Sequence, residues 1–241
     1  MRVTIASTSK SISAVDFRAA VAAIRRQVND DFAPEWSVTA TLRGTTISLP
    51  NKAPIQGQHD AILYLGDSSQ DPTTGVTGAL GYHAENHANI PYGFVYLDIC
   101  EEYGEAWTTT LSHEVLELLA DPTAMLTVSG PAPKGKGSAY YDLEVCDPTQ
   151  GDSYKIEGVA VSNFVGRHYF NLSGGSGQTN FLELPLTPLG VRPRGYFQYE
   201  DKTGVHQIEG AAVTEKQKAA RALMKLARRN ARRADRLAKG E

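Results

Sequence analysis

Residues 107–122 carry side chains that could bind a metal ion. His113 and Glu117 are four positions apart, so on a helix an imidazole nitrogen and a carboxylate oxygen can reach the same cation. Glu114 lies beside them, and Asp121 falls one turn after Glu117 on the same face. Imidazole and carboxylate are both common zinc ligands in proteins. The spacing therefore predicts a metal site on one face of a helix.

The rest of this predicted helix is apolar, which indicates that it packs against a core. Its apolar side chains recur at three- and four-residue steps and are Trp107, Leu111, Val115, Leu118 and Leu119. Buried carboxylates cost too much free energy to remain without a cation or hydrogen-bond donors. A solvated helix face, on which His and Glu have no role beyond solubility, is the alternative interpretation.

A second acidic cluster lies downstream in the run YDLEVCDP and supplies Glu144 and Asp147. This order resembles that of the gluzincin class of metallopeptidases, in which a third ligand Glu is followed closely by an Asp. The resemblance implies that His113, Glu117 and Glu144 bind the metal. It also implies that Asp147 accepts the proton on the far imidazole nitrogen of His113, which makes that residue a better ligand.

The pattern H-E-x-x-E differs by one residue from the zinc-binding HExxH helix. In that helix the first Glu is the general base for a water on the metal, which is the role implied here for Glu114. Glu117 stands in place of the second His. One His and two carboxylates neutralise the charge of the ion and weaken its Lewis acidity, which predicts slow or highly selective turnover.

Four sequence runs, PYGFVYLDI, TTTLSHEVLELLADP, EVCDP and YKIEGVAVSNFV, carry a further resemblance. They resemble a bacterial and phage family with a zincin-like SHEVLE…ADP, EVCDP and IDGVxVSxFV pattern, over roughly Gly81 to Phe170. More distantly, SHEVLE…EVCD is similar to the SHELAE…EIAD arrangement of phosphate-induced extracellular proteins of plants. The resemblance implies an α+β fold: a zincin-like domain with a mixed sheet and an active-site helix, followed by β-hairpins.

Two further residues receive roles from this resemblance. His83 matches the GYH of the family, which makes it a candidate for transition-state stabilisation or for an additional ligand. A His whose hydrogen bonds are satisfied within a loop is the alternative, because Asn86, Asn89 and Pro91 favour a turn over a helical pair of His83 and His87. Asp121, like Asp147, is assigned to the residues that support the ligands.

The remaining elements follow from hydrophobic patterning. We expect a helix over Ala14 to Val28, whose inner side carries Val15, Phe17, Val21, Ile24 and Val28. Extended chain is expected from Trp36 to Leu49, as two strands or one bent hairpin around Arg43-Gly44. Buried strands are expected at His59 to Gly66 and at Tyr92 to Cys100, and the latter would border the cleft as in zincins. A loop from Thr123 to Ala139 would return the chain to the site. Hairpins are expected over Ser153 to Val165, and over Tyr196 to Glu209 around DKTG.

Composition indicates an ordinary globular protein of 241 residues, with 41% hydrophobic and 21% charged residues. The absence of an 18-residue apolar run and of a signal-peptide pattern favours the cytoplasm, or a virion if the protein is encoded by a phage. Two cysteines, Cys100 and Cys146, rule out a disulfide framework but leave a single bridge open. A small buried residue is the favoured interpretation of each.

Residues 214–241 differ in composition from residues 1–212. They contain ten Lys and Arg against three acidic residues, a net charge of +7. Because the whole chain carries −3, the remainder carries −10. A narrow Ala/Leu stripe predicts a basic amphipathic helix over 213–241, able to bind an anionic surface, a partner protein, nucleic-acid phosphate or the acidic body of its own chain. Without aromatic residues it is not expected to recognise a nucleic-acid sequence.

Two functional hypotheses follow from the sequence. The first is a zinc-dependent metallohydrolase, a peptidase acting on a peptide or protein. The second is a structural or binding protein, such as a phage virion or assembly component, which keeps a zincin frame and docks through its basic tail. Because a structural protein can also hold zinc, metal content does not separate the two hypotheses. Loss of activity on substitution of the predicted base Glu114 does separate them.

Overall fold

The chain folds around a five-stranded mixed sheet. The computed structural model describes residues 1–47, 60–69, 81–85, 90–133, 137–170 and 177–219. The strands of this sheet are β1 (Arg2–Ser7), β2 (Thr41–Thr46), β3 (Ala61–Gly66), β4 (Gly81–Glu85) and β5 (Pro91–Tyr96). Their order is β2-β1-β3-β5-β4, and all pairs are parallel except β4 with β5. The mixed sheet expected from the sequence is therefore present, within a mixed α/β architecture.

The helices of the described chain are α1 (Ala14–Arg26), α2 (Ala33–Trp36), α3 (Leu97–Glu102) and α4 (Trp107–Ala120), with a π-helical turn over Gln27–Phe32 between α1 and α2. Ser13 caps α1 by accepting a hydrogen bond from the Asp16 backbone N–H. Phe17, Val21 and Ile24 are buried as expected. Val15 is 65% exposed, so its assignment to the inner face was wrong.

Helix α4 carries the predicted metal motif and is buried on all sides. Every side chain from Thr109 to Leu119 is buried, including those of His113, Glu114 and Glu117. The apolar stripe packs into the main core, while the polar face meets other parts of the chain instead of solvent. The alternative of a solvated polar face therefore does not hold for this helix.

Two smaller β units follow α4. One is a four-stranded antiparallel sheet of order β11-β10-β7-β6, formed by β6 (Thr127–Pro131), β7 (Ser138–Asp142), β10 (Tyr196–Asp201) and β11 (Gly204–Glu209). The other is the hairpin of β8 (Ser153–Ile156) and β9 (Val159–Ser162). Glu157 and Gly158 have φ of 51° and 86°, the left-handed conformations of a tight hairpin turn. The two expected hairpins are confirmed.

Three sequence expectations need correction. Arg43 and Gly44 lie inside one strand, β2, and not between two strands or at the bend of a hairpin. A Cβ atom on Gly44 would come 2.9 Å from Val21 Cγ2, so glycine permits close packing of α1 on the sheet. The strand expected to reach Cys100 ends at Tyr96 and continues as α3. The segment expected as a loop after α4 contains the β6–β7 hairpin.

The basic tail is described only as far as residue 219, and the rest of the predicted helix lies outside the described residues. Residues 215–219 are helical. Thr214 begins this turn with a reciprocal cap: its backbone N–H donates to Gln217 Oε1, and its Oγ1 accepts from the Gln217 backbone N–H. None of the helices in the described part of the chain has the length and apolar content that crossing a bilayer requires.

Candidate metal centre

A buried cluster of metal-binding side chains forms where β4, α4 and the segment after β7 meet. Its donors fall into three groups, each with ligand atoms within 4.8 Å of one another, and Glu117 belongs to all three. All members are buried: His83, His113, Glu114, Glu117, Glu144, Cys146 and Asp147. The structure therefore brings together the candidate residues predicted on α4 and in the downstream acidic cluster.

Two carboxylates of the cluster, those of Glu117 and Asp147, face the same nitrogen of His113. His113 Nε2 lies 3.1 Å from Glu117 Oε2 and 3.3 Å from Asp147 Oδ1. Atoms that bind one zinc ion at about 2.0–2.2 Å in a tetrahedron are roughly 3.3–3.6 Å apart. The two distances from His113 Nε2 are therefore close to the spacing of ligand atoms around a single ion.

The position of Asp147 corrects its predicted role. We expected it to accept the proton on the far nitrogen of His113, away from the metal. Instead it faces Nε2, the same nitrogen that faces Glu117. Asp147 and Glu117 thus face the same nitrogen of His113, whereas the resemblance implied Glu144 as the third ligand.

Backbone amides from the EVCDP run hold Glu117 in place. The Cys146 and Asp147 backbone N–H groups donate to Glu117 Oε1 at 3.1 and 3.3 Å. This leaves Oε2 toward His113. Hydrogen bonds from two amides reduce the cost of burying this carboxylate and fix the direction of its second oxygen.

Glu144 lies in the same cluster on the side of Glu117 and Asp147, with oxygens within 4.8 Å of theirs. Its negative charge contributes to raising the pKa of His83. Burial and the charge of Glu144 together raise the pKa of Asp121. Glu144 therefore extends the acidic cluster from the His113 side toward β4.

His83 lies in strand β4 and not in a loop, and its side chain points into the cluster. Its Nε2 is 3.0 Å from the backbone carbonyl oxygen of Asp121, which can only accept a hydrogen bond. Nε2 must therefore carry the proton, and Nδ1 faces Glu114 Oε2 at 3.5 Å. That separation is too long for a hydrogen bond, and both atoms are fully buried without one.

The carboxylate of Asp121 stabilises the end of α4. It accepts hydrogen bonds from the Thr123 backbone N–H and Oγ1 at 3.2 and 3.0 Å, and from the Leu126 backbone N–H at 2.8 Å. Its backbone carbonyl fixes the His83 ring. Asp121 thus supports the site through its backbone, while its side chain organises the turn into β6.

The electrostatics of the cluster show an excess of negative charge. Burial lowers the pKa of His113, but the Glu117 and Asp147 carboxylates outweigh it and raise that pKa well above 6.5. Burial, together with the Asp147 and Glu144 charges, raises the pKa of Glu117. For His83, burial lowers the pKa while Glu114 and Glu144 raise it, with a net value of about 9. Without a cation, the cluster therefore retains protons that a divalent ion could replace.

Sequence reasoning missed two features of this site. Cys146, interpreted as a plain buried residue, has its sulfur among the donors, within 4.8 Å of ligand atoms of His113 and Glu117. Both cysteines are free, and burial raises the pKa of the Cys146 thiol well above 9.0. Its place between Glu144 and Asp147 in the sequence was the available signal.

The second missed feature is a buried polar network behind α4. Ser112 Oγ donates to Gln27 Oε1 at 2.6 Å and accepts from the Ser162 backbone N–H at 2.9 Å. Gln27 Nε2 donates in turn to the Ser162 carbonyl at 2.7 Å. Since Ser112 directly precedes His113, this network sets the rotation of α4 about its axis. No sequence pattern distinguishes Gln27 from a solvent-facing glutamine.

Comparison with known proteins identified no relative of this chain. No family model matches the chain, and neither the curated proteins nor the solved structures gave a match.

Proposed function

We propose that the protein is a zinc-dependent hydrolase that cleaves peptides. The observation that supports this proposal most is the approach of two carboxylate oxygens, Glu117 Oε2 and Asp147 Oδ1, to His113 Nε2 in a buried site, at 3.1 and 3.3 Å. One imidazole and two carboxylates are a donor set that fits zinc. Bound zinc would polarise a substrate carbonyl and lower the pKa of water.

In this proposal Glu114 is the residue that accepts the proton of the attacking water. It lies on α4 between His113 and Glu117, so it reaches the same centre from the next position on the helix. Its carboxyl group packs against Gly81, where a Cβ atom would come 2.6 Å from Oε1. His83 stands behind it, with Nδ1 3.5 Å from Glu114 Oε2.

Strand β4 supports a peptide as the substrate class. It pairs with β5 on one side, and no strand of the described chain pairs with its other edge. An extended peptide can add to such an edge through main-chain hydrogen bonds. Since β4 carries His83, a peptide paired with it would run beside the cluster. The sequence assigned this bordering role to β5, which is wrong because β5 is paired on both sides.

Removal and return of the metal test the proposed hydrolase directly. Protein treated with a chelator should not cleave a broad peptide library, and stoichiometric zinc should restore cleavage because the ion is part of the catalytic site. Release of new amino termini is the measurement, with untreated protein as the control. Equal cleavage by the treated and reloaded forms would contradict the proposal, as would no cleavage by either.

Burial favours a second candidate, a non-catalytic binding or assembly protein with a structural metal. The side chains of His113 and Glu117 are only 10% and 1% exposed. Structural zinc sites are closed, whereas catalytic sites keep an open position for water or substrate. In this case zinc would stabilise the fold, and no peptide would be cleaved in any form of the protein.

We further propose that the basic tail docks on the acidic body of its own chain, or on that of a neighbouring copy. Lys216 forms an ion pair with Glu102 and lies over the Tyr103 ring, with Nζ 5.6 Å from its centroid. These contacts seat the first turn of the tail against α3. Exposed pairs of this kind contribute little individually, so the docking must come from the whole basic segment.

A truncated chain ending at Ala212 separates the possible partners of the tail. If the tail docks on protein, truncation should lower the melting temperature or change the oligomer size, while nucleic-acid retention stays unchanged. Thermal unfolding and sedimentation measure these effects. If instead only the full chain retains nucleic acid at low salt and releases it steeply as salt rises, phosphate binding replaces docking.

A further inference from the structure

We propose that the cluster holds two divalent cations bridged by Glu117, with His83 and Glu114 forming the second position. This inference rests on the proposed function for the first position, at His113, Glu117 and Asp147. It goes beyond that function because one ion suffices for the proposed hydrolysis. The second ion would be a first-row divalent cation, since its donors are one imidazole nitrogen and carboxylate oxygens.

The donors form two sets that meet at one residue. His83, Glu114 and Glu117 have ligand atoms within 4.8 Å of one another, and His113 belongs to a different set with Glu117. Among the described residues, no such set contains both imidazoles. The two rings therefore flank Glu117 and do not converge on one point, which is the arrangement expected around a bridging carboxylate.

The imidazole ring of His83 has the orientation that is typical of a metal ligand. The Asp121 carbonyl accepts the Nε2 proton at 3.0 Å, and this leaves the Nδ1 lone pair directed into the cluster. Metal-binding histidines commonly donate their other ring N–H to a carbonyl or carboxylate in this way. The side chain is fully buried, and neither Nδ1 nor Glu114 Oε2 has a hydrogen-bond partner. Buried polar atoms in that state are costly unless an ion satisfies them.

Charge balance favours two ions over one. The two positions together are lined by four buried carboxylates: Glu114, Glu117, Glu144 and Asp147. Four ionised carboxylates equal the charge of two divalent cations, whereas beside one cation two protons would have to stay in the buried site to balance the charge. Bridged ion pairs in hydrolases stand about 3.5–4 Å apart, a span that the single oxygen Glu117 Oε2 can bridge while Oε1 keeps its two amide hydrogen bonds.

The second position is compatible with the role of Glu114 in proton transfer. A carboxylate has two oxygens, and in Glu114 these face different neighbours: Oε2 faces His83, while Oε1 packs beside Gly81. Binding an ion through one oxygen leaves the other to accept a proton. Gly81 leaves the space that this oxygen occupies, since a Cβ atom there would come 2.6 Å from it.

Counting bound zinc in the full-length protein tests the inference. Chelator-treated protein is dialysed to equilibrium against increasing zinc, and bound metal is measured by mass spectrometry. We expect saturation at two ions per chain, and at one ion per chain in His83→Ala, which keeps the His113 position. His206→Ala is the matched control, because this His lies in β11, where its Nε2 contacts Asp201 Oδ1 at 3.0 Å, and it should keep both ions.

The outcomes separate this inference from the proposed function. Saturation of the unmodified chain at one ion, with hydrolysis that depends on it, would overturn the second position and leave the hydrolase standing. Two ions in His83→Ala would overturn it as well. No bound zinc in the unmodified chain would overturn both. The count on the unmodified chain decides even if His83→Ala fails to fold.

Discussion

Replacement of Glu114 by glutamine is expected to lower peptide hydrolysis by about two to four orders of magnitude, the usual contribution of general acid-base catalysis. Glutamine keeps the size of the side chain and its fit beside Gly81. It cannot accept the proton of the attacking water. Because His113, Glu117 and Asp147 are unchanged, the variant should still bind zinc at the His113 position.

Three measurements are needed for this variant: the rate of peptide cleavage, the metal content and the melting temperature. Glu101→Gln is the matched control, because Glu101 is an exposed residue of α3 and its replacement makes the same chemical change outside the cluster. This control should retain full activity. Equal cleavage by Glu114→Gln and the unmodified chain, with zinc present in both, would remove Glu114 from the chemistry.

Thermal stability is expected to depend strongly on metal, and in the metal-free protein on pH. A ligand that binds only the folded chain stabilises it by about 4 kcal/mol when its concentration is a thousandfold above Kd. For a chain of this size we expect that to raise the melting temperature by roughly 8–16 °C. Calorimetry with and without a chelator measures this difference.

The sign of the pH effect follows from the raised pKa values. The folded protein holds His83 at a pKa of about 9 against an ordinary 6.5, and burial raises the pKa of Glu117 to about 8 from 4.5. A group with a raised pKa stabilises the fold fully below its ordinary pKa and loses that contribution as pH rises through the folded value. Metal-free protein should therefore lose stability as pH rises, through Glu117 between pH 4.5 and 8 and through His83 between pH 6.5 and 9.

Zinc should remove this dependence, because bound ligands are already deprotonated. The difference in melting temperature between the zinc-loaded and metal-free forms should consequently widen as pH rises. A metal-free protein that is equally stable at pH 6.5 and 9, or equal melting temperatures with zinc and with chelator, would contradict a cation site in this cluster.

Local sequence patterns were sufficient to predict α4 and the hairpins. The three- and four-residue spacing from Trp107 to Leu119 specifies a helix with a buried stripe, and Glu157-Gly158 specifies a tight turn. Each of these signals comes from residues close together in the sequence, which is the range over which propensity and periodicity act. The motif residues His113 and Glu117 were found for the same reason.

Contacts between distant segments could not be predicted in this way. The approach of Asp147 to His113 Nε2 depends on how the chain turns after β7, and the orientation of Glu117 depends on two amide hydrogen bonds. Neither has a sequence pattern. The orientation of His83 depends on β4 pairing antiparallel at the sheet edge and on a backbone carbonyl of Asp121. Every residue type carries a backbone carbonyl, so the sequence does not show which one accepts the hydrogen bond of His83.

The most direct test of the metal centre is anomalous diffraction at the zinc absorption edge, from crystals grown with zinc. We predict a peak about 2.0–2.2 Å from His113 Nε2, Glu117 Oε2 and Asp147 Oδ1. The absence of an anomalous peak within ligand distance of His113 and Glu117 in zinc-saturated crystals would contradict the proposed centre.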